Sequence, residues 1–119
     1  MTSGRDYLDY FQDIVDMMDT VQQLVAAMTY EEFLQDQRTK LAVTKAIEII
    51  GEAAKNIPSS VKDDYPDVPW KQMSGMRDKL THAYFGIDFE IVWKTASKLI
   101  PALTPVVRDV LESEMKRGR

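Results

Sequence analysis

Apolar residues recur every three or four positions along most of the chain, which is the spacing of one face of an α-helix. The first such stripe predicts a helix over residues 5–28, and its members are Tyr7, Phe11, Ile14, Met18, Val21, Val25 and Met28. A second row on another face contains Asp6, Asp9, Asp13 and Asp16. A row of carboxylates can hold a metal, but it is more often a solvated helix face, and we favour the solvated face.

A capping box opens the second predicted helix. The Thr29 hydroxyl can accept a hydrogen bond from the backbone of Glu32, while the Glu32 side chain reaches back. The helix is expected to run to about Asn56, with a buried side formed by Phe33, Leu41, Ile47, Ile50, Ala54 and Ile57. Gly51 lowers the helix propensity there and so indicates close packing against a neighbour. Residues 59–69 predict a short helical turn followed by a loop.

Proline and glycine mark the limits of the remaining helices. Pro69 suits the first turn of a third helix, expected to end near Phe85, before Gly86. Its interior carries Trp70, Met73, Arg77 and Leu80. Asp88 is a suitable N-cap for a last helix, which carries Phe89, Val92, Trp93, Ala96 and Leu99. Pro101 predicts a bend, followed by a helical segment to about Met115.

These elements predict an all-α fold. Residues 1–119 are expected to form a single domain, an antiparallel bundle of four to five helices. A chain of 119 residues is long enough to bury a core of its own. We find no internal repeat and no linker that would divide it.

Composition narrows the chemistry. The chain has no cysteine and one histidine, so a disulfide framework, a thiolate metal site and the common histidine-rich zinc sites are excluded. The acidic N-terminal region does not resemble a signal peptide, and no apolar stretch approaches the ~20 residues that span a bilayer. We therefore expect a cytoplasmic protein without a membrane partner.

The charge is distributed unevenly. The net charge of −4 argues against a nucleic-acid ligand. Residues 1–36, however, hold eight acidic residues against one basic residue, and the remaining 83 hold eleven acidic against fourteen basic, so the two parts carry −7 and +3. The distribution permits RNA binding without predicting it.

Arg77-Asp78-Lys79-Leu80-Thr81-His82-Ala83-Tyr84 is the candidate site. On a helix, Asp78 and His82 would share a face, so that the carboxylate could fix the imidazole tautomer and raise its basicity. The Arg77 guanidinium offers a fork of donors that suits phosphate. Tyr84 lies seven residues beyond Arg77, almost on the same face.

One geometric point opposes a simple helical site. At about 100° per residue, Arg77 and His82 would lie roughly 140° apart. Either the helix distorts near its end, or the long side chains converge, or two subunits contribute. RNA cleavage without a metal needs both a base and an acid, and each chain has one histidine. The third alternative, a twofold dimer with two His82 and two Arg77 in one cleft, is therefore favoured.

The sequence resembles the HepT-like toxins of the HEPN superfamily. Arg-x-x-x-x-His-x-Tyr follows Pro69-Trp70-Lys71-Gln72-Met73-Ser74-Gly75-Met76, and further blocks agree in order. They are Asp6-Tyr7-Leu8, Glu31-Glu32-Phe33-Leu34, Ile49-Ile50-Gly51-Glu52-Ala53-Ala54-Lys55, Tyr65-Pro66-Asp67-Val68-Pro69-Trp70 and Val92-Trp93. The likeness covers about Arg5 to Leu103; the short motif alone is weak, and the ordered set of blocks is specific.

The resemblance implies a fold, an activity and a partner. It implies a HEPN-like dimer acting as a metal-independent endoribonuclease without a cofactor, with His82 as the acid/base group, Arg77 stabilising charge on the phosphate, and Asp78 orienting the histidine or the substrate. It also implies a toxin–antitoxin system, in which a minimal nucleotidyltransferase antitoxin silences the toxin by attaching AMP to Tyr84. The added charge and bulk would obstruct a cleft that must accept RNA phosphate.

Other interpretations stay open. Lys71 and Lys79, with Lys94 and Lys98, could line a phosphate-binding rim, although each alone is more simply a solvated lysine. Trp70 and Trp93 are expected to anchor the core or an interface rather than stack on bases, and Glu52 to serve helix packing or an interface. The chain could instead be a non-catalytic module that docks a nucleotidyltransferase or a nucleotide, or a purely structural helical dimer or adaptor.

Overall fold

The computed structural model describes residues 6–82 and 86–117, and for Thr81 and His82 it describes the backbone alone. Helices account for most of these residues, which confirms the all-α prediction. The helices before the candidate site are α1 (Tyr7–Val25), α2 (Tyr30–Gln35), α3 (Gln37–Lys55) and α4 (Ser59–Asp63). The elements that follow are α5 (Trp70–Ser74), α6 (Met76–Lys79), β1 (Thr81–His82), β2 (Gly86–Ile87), α7 (Phe89–Lys94), a π-helical turn (Thr95–Leu99) and α8 (Ile100–Lys116).

Helix α1 is shorter than the apolar stripe predicts. Asp6 caps it, and a reciprocal capping box joins Asp6 to Asp9. The helix ends at Val25 rather than residue 28, because the chain leaves the helical conformation at Ala26 and Ala27 takes a positive φ of 63°. Two of the four aspartates in the row thus have a capping role, in keeping with a surface face.

The second predicted helix is divided in two. Its capping box is confirmed, with Glu32 N donating to Thr29 Oγ1 at 3.1 Å and Thr29 N donating to Glu32 Oε1 at 2.8 Å. Continuous helix to Asn56 is wrong, because Asp36 is extended and caps α3 by accepting from Thr39 N at 3.0 Å. That backbone N–H stabilises the carboxylate and lowers the pKa of Asp36 below 3.8.

One member of the predicted buried side is misplaced. Leu41 is 50% exposed, whereas Ile47, Ile50 and Ala54 are buried as expected. Leu41 lies two residues before the buried Val43, which is roughly 200° around the helix, so it faces outward when Val43 faces the core. The turn and loop predicted for residues 59–69 are confirmed by α4 and the irregular chain that follows it.

The C-terminal helices follow their predicted caps. Asp88 Oδ1 accepts from Glu90 N at 3.1 Å and Ile91 N at 3.2 Å, which confirms it as the N-cap of α7. Where a bend is predicted at Pro101, the chain forms a π-helical turn directly before α8, and the proline lies in the first turn of α8. Proline has no N–H to donate into the preceding turn, and a π turn accommodates such a break. Helix α8 then ends at Lys116, close to the predicted Met115.

Helices α1, α3 and α8 enclose the core. Helix α1 packs against both α3 and α8, and α5 and α6 pack against α3. The largest fully buried apolar side chains come from all parts of the described chain: Phe11, Ile14, Met18, Phe33, Ile47, Ile50, Met73, Leu80 and Ile100. The candidate site therefore lies on short elements that are supported by a long helix with a buried face.

A buried carboxylate joins three distant parts of this core. Glu114 has no exposed surface, and it accepts hydrogen bonds from the hydroxyls of Tyr7 at 2.9 Å and Tyr65 at 2.6 Å. The guanidinium of Arg117 lies 3.4 Å from Glu114 and 3.1 Å from Asp64. The start of α1, the loop after α4 and the end of α8 are thereby held together.

The protein should lose stability above pH 10 because of this cluster. The hydrogen bond to Glu114 raises the pKa of Tyr65 above its ordinary value of 10.0. A group whose pKa is raised by folding contributes stability that is complete below its unfolded pKa and is lost as the pH rises through the folded pKa. We expect Tyr65→Phe to flatten this alkaline loss in urea unfolding between pH 8 and pH 11, whereas Tyr30→Phe should leave it unchanged. Equal alkaline losses in the wild type and Tyr65→Phe would contradict the assignment.

Candidate active site

Arg77 lies on α6, where the backbone packs directly on α3. A Cβ atom placed on Gly51 would lie 3.5 Å from both Arg77 N and Ser74 O, and 3.6 Å from Arg77 Cγ. These are ordinary contact distances, so the gap between the α3 backbone at Gly51 and the backbone of residues 74–77 has room for no more than a small side chain. The close packing predicted from Gly51 is confirmed, and its neighbour is the segment that carries Arg77.

The guanidinium of Arg77 is held by Glu52. Arg77 Nη1 lies 2.7 Å from Glu52 Oε1. The two side chains remain 48% and 56% exposed, so the pair lies at the surface and can be reached by a ligand. Sequence reasoning assigned Glu52 to packing or an interface and missed this contact. The sequence feature that could have indicated it is the position of Glu52 directly after Gly51, the residue against which the Arg77 segment packs.

The other polar residues of this segment face solvent. Asp78 and Lys79 are exposed on the same helical turn as Arg77, and Lys71 is exposed on α5. Met76 and Leu80 flank them in sequence and are buried, at 3% and 1% exposure. The buried pair fixes the turn to the core, and the polar residues between them are left at the surface around Arg77.

The third predicted helix ends before His82. Gly75 divides it, α6 ends at Lys79, and His82 pairs with Gly86 in a two-stranded antiparallel ribbon. The predictions of helix to Phe85 and of a shared helix face for Asp78 and His82 are therefore wrong. The 140° separation, which assumed that helix, does not apply.

The ribbon is fixed at its base by the backbone. Asp88 N donates to Leu80 O at 2.6 Å, and Gly86 adopts a φ of +74°, a conformation that favours glycine. In this segment the hydrogen bonds of the ribbon take the place of those that a continued α6 would form. Tyr84 and its role fall at residues 83–85, outside the described part of the chain.

Two further lysines border a surface depression beside α5. Lys94 and Lys98 are exposed and line a cavity of about 380 Å³ with Gln72, Thr95, Leu99 and Ala102. Lys94 is 3.7 Å from Glu90, an exposed pair that leaves both groups solvated. The four candidate lysines, Lys71, Lys79, Lys94 and Lys98, are thus all exposed.

Both tryptophans take part in core packing. Trp70 lies edge-on to Phe11 with 5.9 Å between ring centroids, and its Nε1 donates to Tyr65 O at 3.0 Å. Trp93 packs on Phe33 at 5.2 Å. These contacts confirm the expected anchoring role. Among the described side chains, no group of three or more His, Cys, Asp or Glu residues is arranged to hold a metal ion.

Comparison with known proteins identifies the family. The sequence model described as "Ribonuclease HepT-like" matches residues 14–110, which include Gly51, Glu52, Arg77 and His82. The chain belongs to the HepT-like ribonuclease family. The resemblance deduced from the ordered blocks is thereby confirmed.

Individual relatives in this family match most of the chain. "Probable ribonuclease HepT" of Thermococcus cleftensis is 46% identical over 99 residues, covering 83% of this chain and 90% of the relative. A protein of Methanocaldococcus jannaschii that is provisionally named an RNase is 43% identical over 99 residues, covering 83% of this chain and 82% of the relative. Another, from Caldanaerobacter subterraneus, is 38% identical over 114 residues, covering 96% and 99%.

No solved structure matches the chain significantly. Within the described ranges, every helix is too short or too polar to cross a bilayer.

Proposed function

We propose that this protein is a metal-independent endoribonuclease that acts as the toxin of a toxin–antitoxin pair in the cytoplasm. The observation that carries the proposal is the exposed guanidinium of Arg77, which lies 2.7 Å from Glu52. Arg77 is the first residue of the Arg-x-x-x-x-His-x-Tyr motif, in a chain that belongs to the HepT-like ribonuclease family. A surface arginine with a fixed fork of donors suits a phosphodiester. The relatives' names support RNA as the substrate.

In the proposed reaction the 2′-hydroxyl of RNA attacks the adjacent phosphorus. His82 removes the hydroxyl proton, and an acid protonates the departing 5′-oxygen, so the products are a 2′,3′-cyclic phosphate and a free 5′-hydroxyl. Arg77 stabilises the charge on the phosphate oxygens. Asp78 orients His82 or the substrate from the neighbouring turn, and Lys71 and Lys79 contact flanking phosphates.

The reaction requires two proton-transfer groups, and the chain has one histidine. We therefore assign the active form to a twofold dimer, or a dimer of such dimers, with the motifs of two subunits in one cleft. One His82 then acts as the base and its symmetry mate as the acid.

Tyr84 is the proposed point of control. A cognate minimal nucleotidyltransferase would transfer AMP from ATP to the Tyr84 hydroxyl with release of pyrophosphate. The resulting phosphodiester would repel RNA phosphate and obstruct the cleft. Intact mass before and after treatment with a minimal nucleotidyltransferase and ATP should show one added adenylyl group in the wild type and none in Tyr84→Phe.

Cleavage in a chelator tests the activity. Purified protein, shown by intact mass to carry no AMP, is incubated with total RNA in excess EDTA, and the fragment ends are analysed. We expect cleavage to persist and to leave 2′,3′-cyclic phosphates. Inertness toward all RNA classes, with or without added divalent ions, would reject the enzyme in favour of the non-catalytic docking module.

Mixed dimers test the shared cleft. Wild-type and His82→Ala subunits are unfolded together in urea and refolded in equal amounts. If both histidines are needed, activity per total subunit should fall to about one quarter, because only that share of dimers carries two. Subunits that act alone would retain about one half. Mixing with Glu112→Ala, an exposed position on α8, controls for refolding losses.

A further inference from the structure

We infer that Glu52 is a positioning residue, which orients the Arg77 guanidinium toward the scissile phosphate. The inference rests on the ribonuclease function proposed above and adds a residue outside its motif. Its basis is the 2.7 Å contact between Glu52 Oε1 and Arg77 Nη1, made across 25 residues of sequence. Glu52 acts through Arg77 and makes no contact with the reacting atoms.

The two residues differ in how firmly their backbones are held. Glu52 is near the end of α3, a 19-residue helix with an extensive buried face. Arg77 is on α6, which has four residues and follows a break at Gly75. A long arginine side chain that is half-exposed has many accessible rotamers. Contact with a carboxylate on the long helix restricts them.

The small residue at position 51 leaves room for this contact. The backbone of Arg77 passes within ordinary contact distance of the position that a Gly51 Cβ would occupy. A bulky side chain there would push α6 away from α3 and lengthen the distance between Glu52 and Arg77. Gly51 and Glu52 are consecutive, so one turn of α3 sets both the approach of the segment and the direction of its guanidinium.

The geometry leaves Arg77 able to bind a ligand. A guanidinium has five N–H donors, and the contact with Glu52 requires only Nη1. Phosphate can be bound through the Nη2 and Nε edge, with both groups in the same plane. Because exposed ion pairs contribute little to folding, loss of Glu52 should leave the protein folded while Arg77 loses its orientation.

A competing role makes an opposite prediction. If Glu52 merely neutralised Arg77, its removal would strengthen RNA binding, and KM would fall with kcat unchanged. A positioning residue instead supports an interaction that matters most in the transition state. Its removal should lower kcat with KM little changed.

Steady-state cleavage of a short RNA should be compared in Glu52→Ala, Glu52→Gln, Arg77→Ala and the Glu52→Ala/Arg77→Ala double variant. We expect Glu52→Ala to lower kcat about 10-fold or more, since small errors of placement are costly. Glu52→Gln, which retains an acceptor oxygen, should recover part of the loss. In the Arg77→Ala background, Glu52→Ala should have no further effect. Glu48→Ala is the matched control, because Glu48 is on the same helix and pairs with Lys45 at 3.9 Å.

An equal loss from Glu52→Ala with and without Arg77 would overturn the inference, as would tighter RNA binding at unchanged kcat. NMR of the arginine side chains gives a readout that needs no activity. The Nη protons of Arg77, assigned with Arg77→Lys, should rotate slowly in the wild type and freely in Glu52→Ala. Free rotation in the wild type refutes the positioning even if RNA is cleaved. Slow rotation in an inactive protein rejects the ribonuclease proposal and removes the catalytic role assigned to Glu52.

Discussion

Replacing His82 with alanine should lower the rate of RNA cleavage by about 10²–10⁴-fold, the usual contribution of a positioned general acid or base. No second histidine in the chain can substitute for it. In a dimer, one substitution removes both the base and the acid, so the loss should lie toward the upper end. The measurement is single-turnover cleavage of a defined RNA across pH 5–9.

The fold should survive this substitution. His82 is held in the ribbon by backbone pairing with Gly86, which alanine retains, so Tm should change little. The wild type should show a bell-shaped dependence of rate on pH, and His82→Ala should lose it. A variant that cleaves with an unchanged pH profile would show that another group transfers the protons, whereas Glu112→Ala should match the wild type throughout.

Helix starts were predicted well because their signals are local. Thr29 and Asp88 each accept a hydrogen bond from a backbone N–H no more than three residues away, and such contacts depend on neighbours in sequence alone. The all-α class followed from apolar spacing for a similar reason. An apolar stripe with the 3.6-residue helical period can be recognised from sequence spacing alone, and the same residues then form the buried face of the helix.

The breaks were missed because apolar spacing continues across them. Asp36 interrupts the second helix although no glycine or proline is present there. Its side chain caps α3 by accepting from Thr39 N, a local contact that apolar spacing does not indicate. The third helix ends at Lys79, and Leu80 O accepts a hydrogen bond from Asp88 N. That contact spans eight residues and depends on the ribbon, so no periodicity between residues 76 and 85 could reveal it.

The site was predicted only in part. Arg77 can be identified from the motif in the sequence. Its contact with Glu52, 25 residues away, depends on the packing of α6 against α3. Gly51 predicted close packing at this point of the helix, but the sequence does not indicate which segment packs there. Asp78 was assigned a role through a helical spacing to His82, and the ribbon replaces that helix.

Replacing Glu114 with alanine should destabilise the protein by about 3 kcal/mol. The substitution removes the carboxylate that accepts from the Tyr7 and Tyr65 hydroxyls, at about 1–3 kcal/mol for each hydrogen bond that is not replaced. It also opens space at a position with no exposed surface. For a chain of this size, Tm should fall by about 10 °C. Urea unfolding and calorimetry measure both quantities.

Graded substitutions separate the hydrogen bonds from the packing. Glu114→Gln keeps the volume and one acceptor oxygen, so it should lose about half as much stability as the alanine variant. Glu112→Ala removes an exposed carboxylate from the same helix and should stay within about 0.5 kcal/mol of the wild type. If Glu114→Ala were as stable as Glu112→Ala, the tyrosine hydroxyls would be satisfied by water, and the cluster would not hold α1 and α8 together. Arg77 and Glu52 lie outside this cluster, so RNA cleavage by folded Glu114→Gln should match that of the wild type.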